Sequence, residues 1–368
     1  MPATQPTIRN YSLTSLKSAA VITRALDILR PHLPTSLPLY RRIQFGRFFD
    51  ATCLLTNINC TGTLSQAERE PAHNDGGDMP PWVIAFVDRS CRPETEVWIS
   101  GSWEASPPAP TGTDAWSAID DLMLELVRTM KGLPLPNSIH QDIPNARAAP
   151  AQANGTAEAD RDSVGLSRGD YTSHSSNPSI MLWGAVHENT VPTLQRLKLL
   201  AQEYNASLVP NYTFLFDIAT LPSPRALPKG LEWGVVHPES FALIRSRTQI
   251  PRQDRTMAVL PSLAIFPSSS SSTASARAPV AWCFIGLEAS LTTLHVEPKW
   301  RGRGLAKLIT AKIFREKMGR FFDGGVEKKL GYGFVVVGNM ASEGMCRSLG
   351  GRSEWECYWL RADLSKAS

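Results

Sequence analysis

Apolar residues along the chain recur in two periods, separated by polar turns. Short, near-continuous apolar runs at Cys53–Ile58, Trp82–Val87 and Thr95–Ile99 have strand length and β-branched or aromatic content, and predict three strands. A helical period follows from about Ala115 to Met130. Ile119, Leu122, Met123, Leu126 and Val127 share one face there, Asp114 is placed to cap the start, and Gly132 to stop the end. Further on, Pro279–Gly286 and Leu291–Val296 predict two strands joined by a tight turn at Glu288-Ala289. After a basic turn, Leu305, Leu308, Ile309 and Ile313 predict a helix, with Lys307, Lys312 and Lys317 off its apolar stripe. Phe334–Gly338 reads as a buried strand, and Asn339–Gly350 as a short helix closed by glycine. His187-Glu188 is expected to open another helix. Near the start, Leu13, Leu16, Val21, Ala25, Ile28 and Leu29 fit a first amphipathic helix. The same region holds Arg9, Lys17 and Arg24 and no acid before Asp27, which also suits an organelle transit peptide.

Residues 134–178 are rich in Ala, Ser, Asn, Pro and Gly without periodicity, and read as a disordered linker. The serine run within Ser268–Ala278 reads as a hairpin insertion. The ranges expected are therefore an α/β domain over 1–133, the linker over 134–178 and a second domain over 179–368, and 368 residues suit two domains. No apolar run approaches membrane-spanning length, so no membrane partner is expected. Cys53, Cys60, Cys91, Cys283, Cys346 and Cys357 form no CxxC pair and cluster with no histidines. Free thiols in a reducing compartment and no metal follow. A net charge of +4 gives no warrant for nucleic acid, although Lys299, Arg301, Arg303, Lys307, Lys312, Arg315, Lys317 and Arg320 crowd one stretch. A polyphosphate ligand would explain that crowding, and so would a solvated helix face.

The chemistry concentrates in Leu294–Ala306, which reads Leu-His-Val-Glu-Pro-Lys-Trp-Arg-Gly-Arg-Gly-Leu-Ala. A strand, a glycine turn and a helix start can hold a pyrophosphate, because free N–H groups and the helix dipole meet the anion. Arg301 and Arg303 add fork-shaped cations. The turn is neither GxGxxG nor a Walker loop, so neither a dinucleotide nor ATP is indicated. Arg-Gly-Arg-Gly-Leu-Ala after a strand closely resembles the acyl-CoA-binding motif of the GNAT superfamily of N-acetyltransferases. The Asn339 segment resembles that family's asparagine-then-helix segment. With Leu227–Trp233, Arg247–Arg252, Leu260–Phe266 and Ala281-Trp282, the stretch from 179 to 364 is similar to the glycine N-acyltransferase branch in a fungal-type version.

The resemblance implies an α/β (α+β) GNAT fold: a mixed, mostly antiparallel central sheet flanked by helices. The N-terminal strands followed by a helix are like the front of a degenerate GNAT domain, with an unrelated α/β lobe as the alternative. Their loop Ser100–Pro108 has no basic glycine turn, and Glu104 would repel phosphate. The implied activity is transfer from acetyl-CoA, or another acyl-CoA, to the amine of a small molecule or amino acid. A catalytically weak, regulatory CoA-binding protein is the alternative, and a cytoplasmic or mitochondrial location fits either. Leu294, Val296, Arg301, Gly302, Arg303, Gly304, Leu305, Ala306, Asn339 and Ser342 would meet CoA, with the Val296 backbone N–H on the thioester oxygen. Asn339 has a second reading as a plain helix N-cap. Two positions depart from the family pattern. Cys346 stands where many members carry an acid tyrosine, and is either that acid or a packing residue. Ser290 stands where several carry a basic glutamate. The base is then His295, whose ordinary pKa of ~6.5 suits it, or Glu288 from the preceding turn, or an ordered water. Strand alternation sends His295 to the face opposite Val296 unless a bulge intervenes.

Overall fold

The computed structural model describes residues 6–15, 18–61, 80–105, 107, 114–136, 172–205, 208–223, 225–268, 278–322 and 328–367. The expected linker between 137 and 171, the expected insertion at 269–277 and most of the loop after Ala105 lie outside them. Strands in chain order are β1 Arg9–Ser12, β2 Cys53–Thr56, β3 Val83–Val87, β4 Val97–Gly101, β5 Ile180–His187, β6 Pro210–Asp217, β7 Leu231–Gly234, β8 Ser262–Pro267, β9 Ala281–Ile285, β10 Leu291–Val296, β11 Leu330–Val336 and β12 Arg352–Asp363. The α-helices are α1 Ser18–Leu29, α2 Leu37–Phe45, α3 Asp114–Lys131, α4 Val191–Arg196, α5 Phe241–Ser246, α6 Asp254–Met257, α7 Leu305–Lys317 and α8 Met340–Ser348. None of the described helices is long and apolar enough to cross a membrane.

The chain divides into two compact units. The first holds the described residues within Met1–Thr156, Ser173–Leu208 and Cys357–Ser368, and the second those within Ala157–Thr172 and Val209–Glu356. These units cut across the ranges expected from composition, because contact follows the strands and not the linker.

In the first unit β1, β2, β3 and β4 form an antiparallel meander. β5 then joins β4 in parallel, and the Cys357–Asp363 end of β12 lies antiparallel to β5. The apolar stripe of α3 is the face that is buried: Ile119, Leu122, Met123, Leu126 and Val127 pack with Leu55, Ala85 and Ile99 of the sheet. Each such side chain contributes about 1.5–3 kcal/mol when fully buried. α1 buries Val21, Ala25 and Leu29 as its period predicts. β1 is too short and polar to announce itself. α2 lacks a polar stripe because it buries Arg41 and Arg42, and the Arg42 guanidinium stacks 4.0 Å over Phe86. His187-Glu188 does not open a helix. His187 ends β5, and α4 starts at Val191, where Pro192 supplies a preset helical φ at the N-terminus.

The second unit orders its strands β6-β11-β10-β9-β8-β7. All neighbours are antiparallel except β10 and β11. α7 buries Leu305, Ile309, Ile313 and Phe314, while Leu308 is only half-buried. Phe314 rests on Phe216 at 5.4 Å between ring centroids. Gly331 permits that packing, since a Cβ there would stand 3.0 Å from the Phe314 ring. Both units therefore share one plan: four antiparallel strands, then a fifth reached through a helix and laid parallel to the fourth. The expected mixed, mostly antiparallel sheet flanked by helices is present in both units.

Candidate functional site

The parallel pair β10 and β11 is matched at one register position only, Leu291 with Gly333. On their other edges both strands are well paired, β11 with β6 from Leu330 to Val336 and β10 with β9. From Thr292 and Phe334 onward the two strands therefore part, and a gap opens at their C-terminal ends. Crevices at the C-terminal ends of parallel strands, where helices begin, are general ligand sites. The inner edge of the gap can be read from the ladder. The Glu297 N–H donates to Val280 O at 2.9 Å, toward β9. Successive peptide groups alternate, so the Val296 N–H and C=O turn to the gap side. Arg301 Nε donates to Val296 O there at 3.1 Å.

β10 also carries the bulge. Between Thr292 and His295 its register against β9 slips by a residue, and Thr293 takes φ 53°. Beyond the slip, His295 pairs with Trp282 and Val296 with Ala281, so His295 and Val296 face opposite ways. The imidazole stacks on Trp282 at 4.6 Å between centroids and 25° between planes. His295 Nε2 lies 3.9 Å from Glu297 Oε1, and Arg247 Nε donates to that same oxygen at 2.9 Å.

After β10 the backbone turns through Gly302 at φ 75° and Gly304 at φ 77° into α7. A Cβ at either glycine would meet nothing within 4 Å. The left-handed conformation, not crowding, is what demands glycine here. Gly304 caps α7 without a side-chain bond, and the first helical bond runs from Leu308 N to Gly304 O at 3.1 Å. The first-turn N–H groups of Leu305, Ala306 and Lys307 have no intrahelical partner by geometry, and they point out of the helix end. Leu305, 1 % exposed, anchors that end in the core. The Arg303 guanidinium lies 4.7 Å over the Trp300 ring. Arg301, Gly302, Arg303 and Gly304 are all exposed.

On the far side of the gap, Asn339 Oδ1 accepts from Ser342 N at 3.0 Å and caps α8. The N-cap reading is thus observed, and any further contact would use the Nδ2 side. Glu343 braces the same turn, accepting from Gly338 N at 2.9 Å and from Arg347 Nη1 at 2.8 Å. The Arg347 bond holds its carboxyl below the usual range. Cys346 is 2 % exposed, and burial pushes its thiol up to about 12.

Glu288 sits in the β9–β10 turn, 9 % exposed. Its carboxylate packs against Gly286, where a Cβ would stand 2.6 Å from Oε1. It accepts from the Ser290 hydroxyl, and its backbone carbonyl accepts from the Tyr332 hydroxyl. The structure therefore brings His295 and Glu297 together at the C-terminal end of β10 and leaves Glu288 at the strand's opposite end. Arg247 and Arg252, which carry no motif of their own, also reach β10. Arg252 donates from Nη2 to Thr292 Oγ1 at 2.6 Å and from Nε to Thr293 Oγ1 at 3.1 Å. Among the described residues, no group of His, Cys, Asp or Glu is placed to hold a metal ion.

In the first unit, the end of β4 beside β5 is closed by its own side chains. Ser100 and Thr190 donate to the two Glu104 carboxylate oxygens, each at 2.9 Å. Trp103 Nε1 donates to Thr190 Oγ1 at 3.0 Å, and Asn189 Nδ2 to Glu104 O at 2.9 Å. Burial pushes Glu104 to about 7, against those two hydroxyl bonds that lower it.

A family model described as the N-terminal domain of the acyl-CoA N-acyltransferase verG matches residues 11–262. An FR47-like protein model matches residues 272–360. Neither names the glycine N-acyltransferase branch. No curated protein matches the chain significantly. Among solved structures, a Drosophila malonogaster structural-genomics protein aligns over 96 % of this chain and 97 % of its own, at TM-score 0.55 and 14 % identity. A tandem GNAT protein from the clavulanic acid biosynthesis pathway, solved without AcCoA, aligns over 97 % and 99 % at TM-score 0.46 and 10 % identity. A GCN5-related N-acetyltransferase from Sphaerobacter thermophilus aligns over 97 % and 96 % at TM-score 0.41 and 10 % identity. At such identities a likeness concerns fold alone, and of these three only the Drosophila match is close enough to carry even that.

Proposed function

The chain belongs to the acyl-CoA N-acyltransferase family of the verG N-terminal domain, and from that premise we propose that it transfers an acyl group, acetyl in the simplest case, from coenzyme A to the amine of a small molecule or amino acid by direct attack. The observation that carries this reading is the pairing of two features. A turn with left-handed glycines opens α7, and the gap between β10 and β11 leads to it. The α7 N-terminus with Arg301 and Arg303 suits a pyrophosphate. The gap suits an extended pantetheine arm, with Asn339 on its far wall. The Val296 N–H then polarises the thioester carbonyl as negative charge develops on it.

In this scheme the amine nitrogen attacks the thioester carbon, the C–S bond breaks, and sulfur leaves with the electron pair as CoA thiolate. The amine proton passes to His295. Glu297, held by Arg247, stabilises the imidazolium, and the Trp282 face beneath the ring does the same. We assign Cys346 to packing. A thiol near 12 is a weaker acid than an ordinary free thiol, and so a poor donor to the departing thiolate. A second reading of the base rests on one contact: Ser290 bonds the Glu288 carboxylate, which could relay a proton through that hydroxyl.

His295→Gln and Glu288→Gln separate the two. General-base catalysis is worth about 10²–10⁴ in rate. His295→Gln is expected to lower kcat by that order with unchanged affinity for CoA, and Glu288→Gln by only a few fold. The reverse ranking would move the base to Glu288. No turnover of any acyl-CoA by wild-type protein across an amine panel would overturn the activity itself.

A further inference from the structure

Arginines cluster in the segment that runs from α5 into α6, and most are accounted for. Arg245 pairs with Asp254. Arg247 pairs with Glu297 at 2.9 Å. Arg255 donates to Gln253 Oε1 at 2.5 Å. Arg252 differs. It is half-buried, and among the described residues no acid lies within ion-pair distance of it. Its Nε and Nη2 edge is spent on the hydroxyls of Thr293 and Thr292. Thr293 lies within the bulge of β10 and Thr292 directly before it, so the guanidinium is fixed on the strand that borders the gap. Its Nη1 makes only a long, 3.4 Å contact to Pro251 O. A guanidinium offers a second fork at its Nη1/Nη2 end, matched to the two oxygens of a carboxylate. A guanidinium with no acid beside it is open to an anionic ligand.

We propose that Arg252 is a carboxylate site for the transfer reaction, so that the enzyme takes a substrate carrying a carboxylate close to the reacting centre. This rests on the functional reading above. Along an extended strand a residue advances ~3.3 Å, so Thr293 lies roughly 3–10 Å from the backbone of Leu294 to Val296, where the thioester is placed. That span fits an amino acid whose amine and carboxylate are a few bonds apart. A dicarboxylic acyl group on CoA would present the same carboxylate from the other partner.

The test is steady-state kinetics with matched pairs. Acetyl-CoA is offered with amino acids and with their amides. Separately, succinyl-CoA and butyryl-CoA are offered with one uncharged amine. CoA affinity is followed by calorimetry. An acceptor carboxylate predicts a preference of about tenfold or more in kcat/KM for acids over amides, carried mainly by KM. An acyl carboxylate predicts the preference in the succinyl arm instead. In either case Arg252→Gln should shrink that preference to within about threefold while CoA affinity holds, and Arg252→Lys should restore part of it. Wild-type protein that acylates amides as well as acids, with no succinyl preference, overturns the proposal and leaves the transferase reading standing. So does a preference that survives in Arg252→Gln. No acylation of any amine by protein that binds CoA overturns both.

Discussion

The phosphate-binding role proposed for Gly302, Gly304 and the arginines beside them is legible in the sequence, because everything it needs lies within a few positions of chain. A side chain at Gly304 would meet no neighbour, and its left-handed backbone alone excludes one at about 1–2 kcal/mol. Cys346 shows the opposite case. Its position in the motif suggests an acid, but only the fold reveals that it is 2 % exposed with a thiol near 12. Cys346→Ala is therefore expected to leave kcat within about twofold and to lower the unfolding midpoint, because a buried side chain is lost. A fall in kcat of tenfold or more, with KM unchanged, would return the residue to catalysis. Glu297 and Arg247 could not be picked out beforehand. Glu297 reads as a surface residue beside Pro298, and Arg247 lies far away in sequence. Their meeting at one carboxylate oxygen 2.9 Å from Arg247 exists only once β10 is in place.

The strand and helix periods were readable wherever one face is apolar and the other polar, as in α3 and α7. They fail where buried charge blurs the contrast, as in α2. The bulge in β10 was likewise hidden, since Thr292-Thr293 has ordinary strand composition and only the register against β9 exposes the slip. The ends of β4 and β10 make the instructive pair. Each ends the fourth strand of an antiparallel meander beside a parallel fifth, yet one is sealed around Glu104 and the other runs into open glycines. The sealed end has a pH signature. Glu104 sits near 7 in the fold against an ordinary 4.5. The folded state then binds more protons than the unfolded chain between those values. Its stabilising share is complete below about 4.5 and is lost as pH rises through 7. The whole effect is at most about 3 kcal/mol. Glu104→Gln should therefore be more stable than wild type at pH 8 and lose that advantage by pH 4.5, read as denaturation midpoints. Parallel pH curves for the two proteins would mean that Glu104 is not held protonated.

For the molecule as a whole, the broad N-acyltransferase family and the fold class were within reach of the sequence, since a local motif with correct flanking elements suffices for both, whereas the glycine N-acyltransferase branch is not named by the matching family models. The division into units was not within reach, because β5 and the end of β12 come from parts of the chain far from the N-terminal strands they join. The acceptor was not legible either, as it depends on side chains gathered from separate elements. We propose one acyl-CoA site in each chain, at the α7 end of the second unit. Calorimetric titration of CoA and acetyl-CoA into wild type and into Arg303→Glu/Gly304→Asp tests this most directly. The double variant places two carboxylates where the pyrophosphate is proposed to bind, at exposed positions, and a Cβ at Gly304 would meet nothing within 4 Å. One site per chain is expected in wild type, with affinity weakened by about a hundredfold or more in a folded variant, some 2.7 kcal/mol of lost phosphate binding. Wild-type affinity retained in the folded double variant, or no binding to wild type at all, would contradict the proposal.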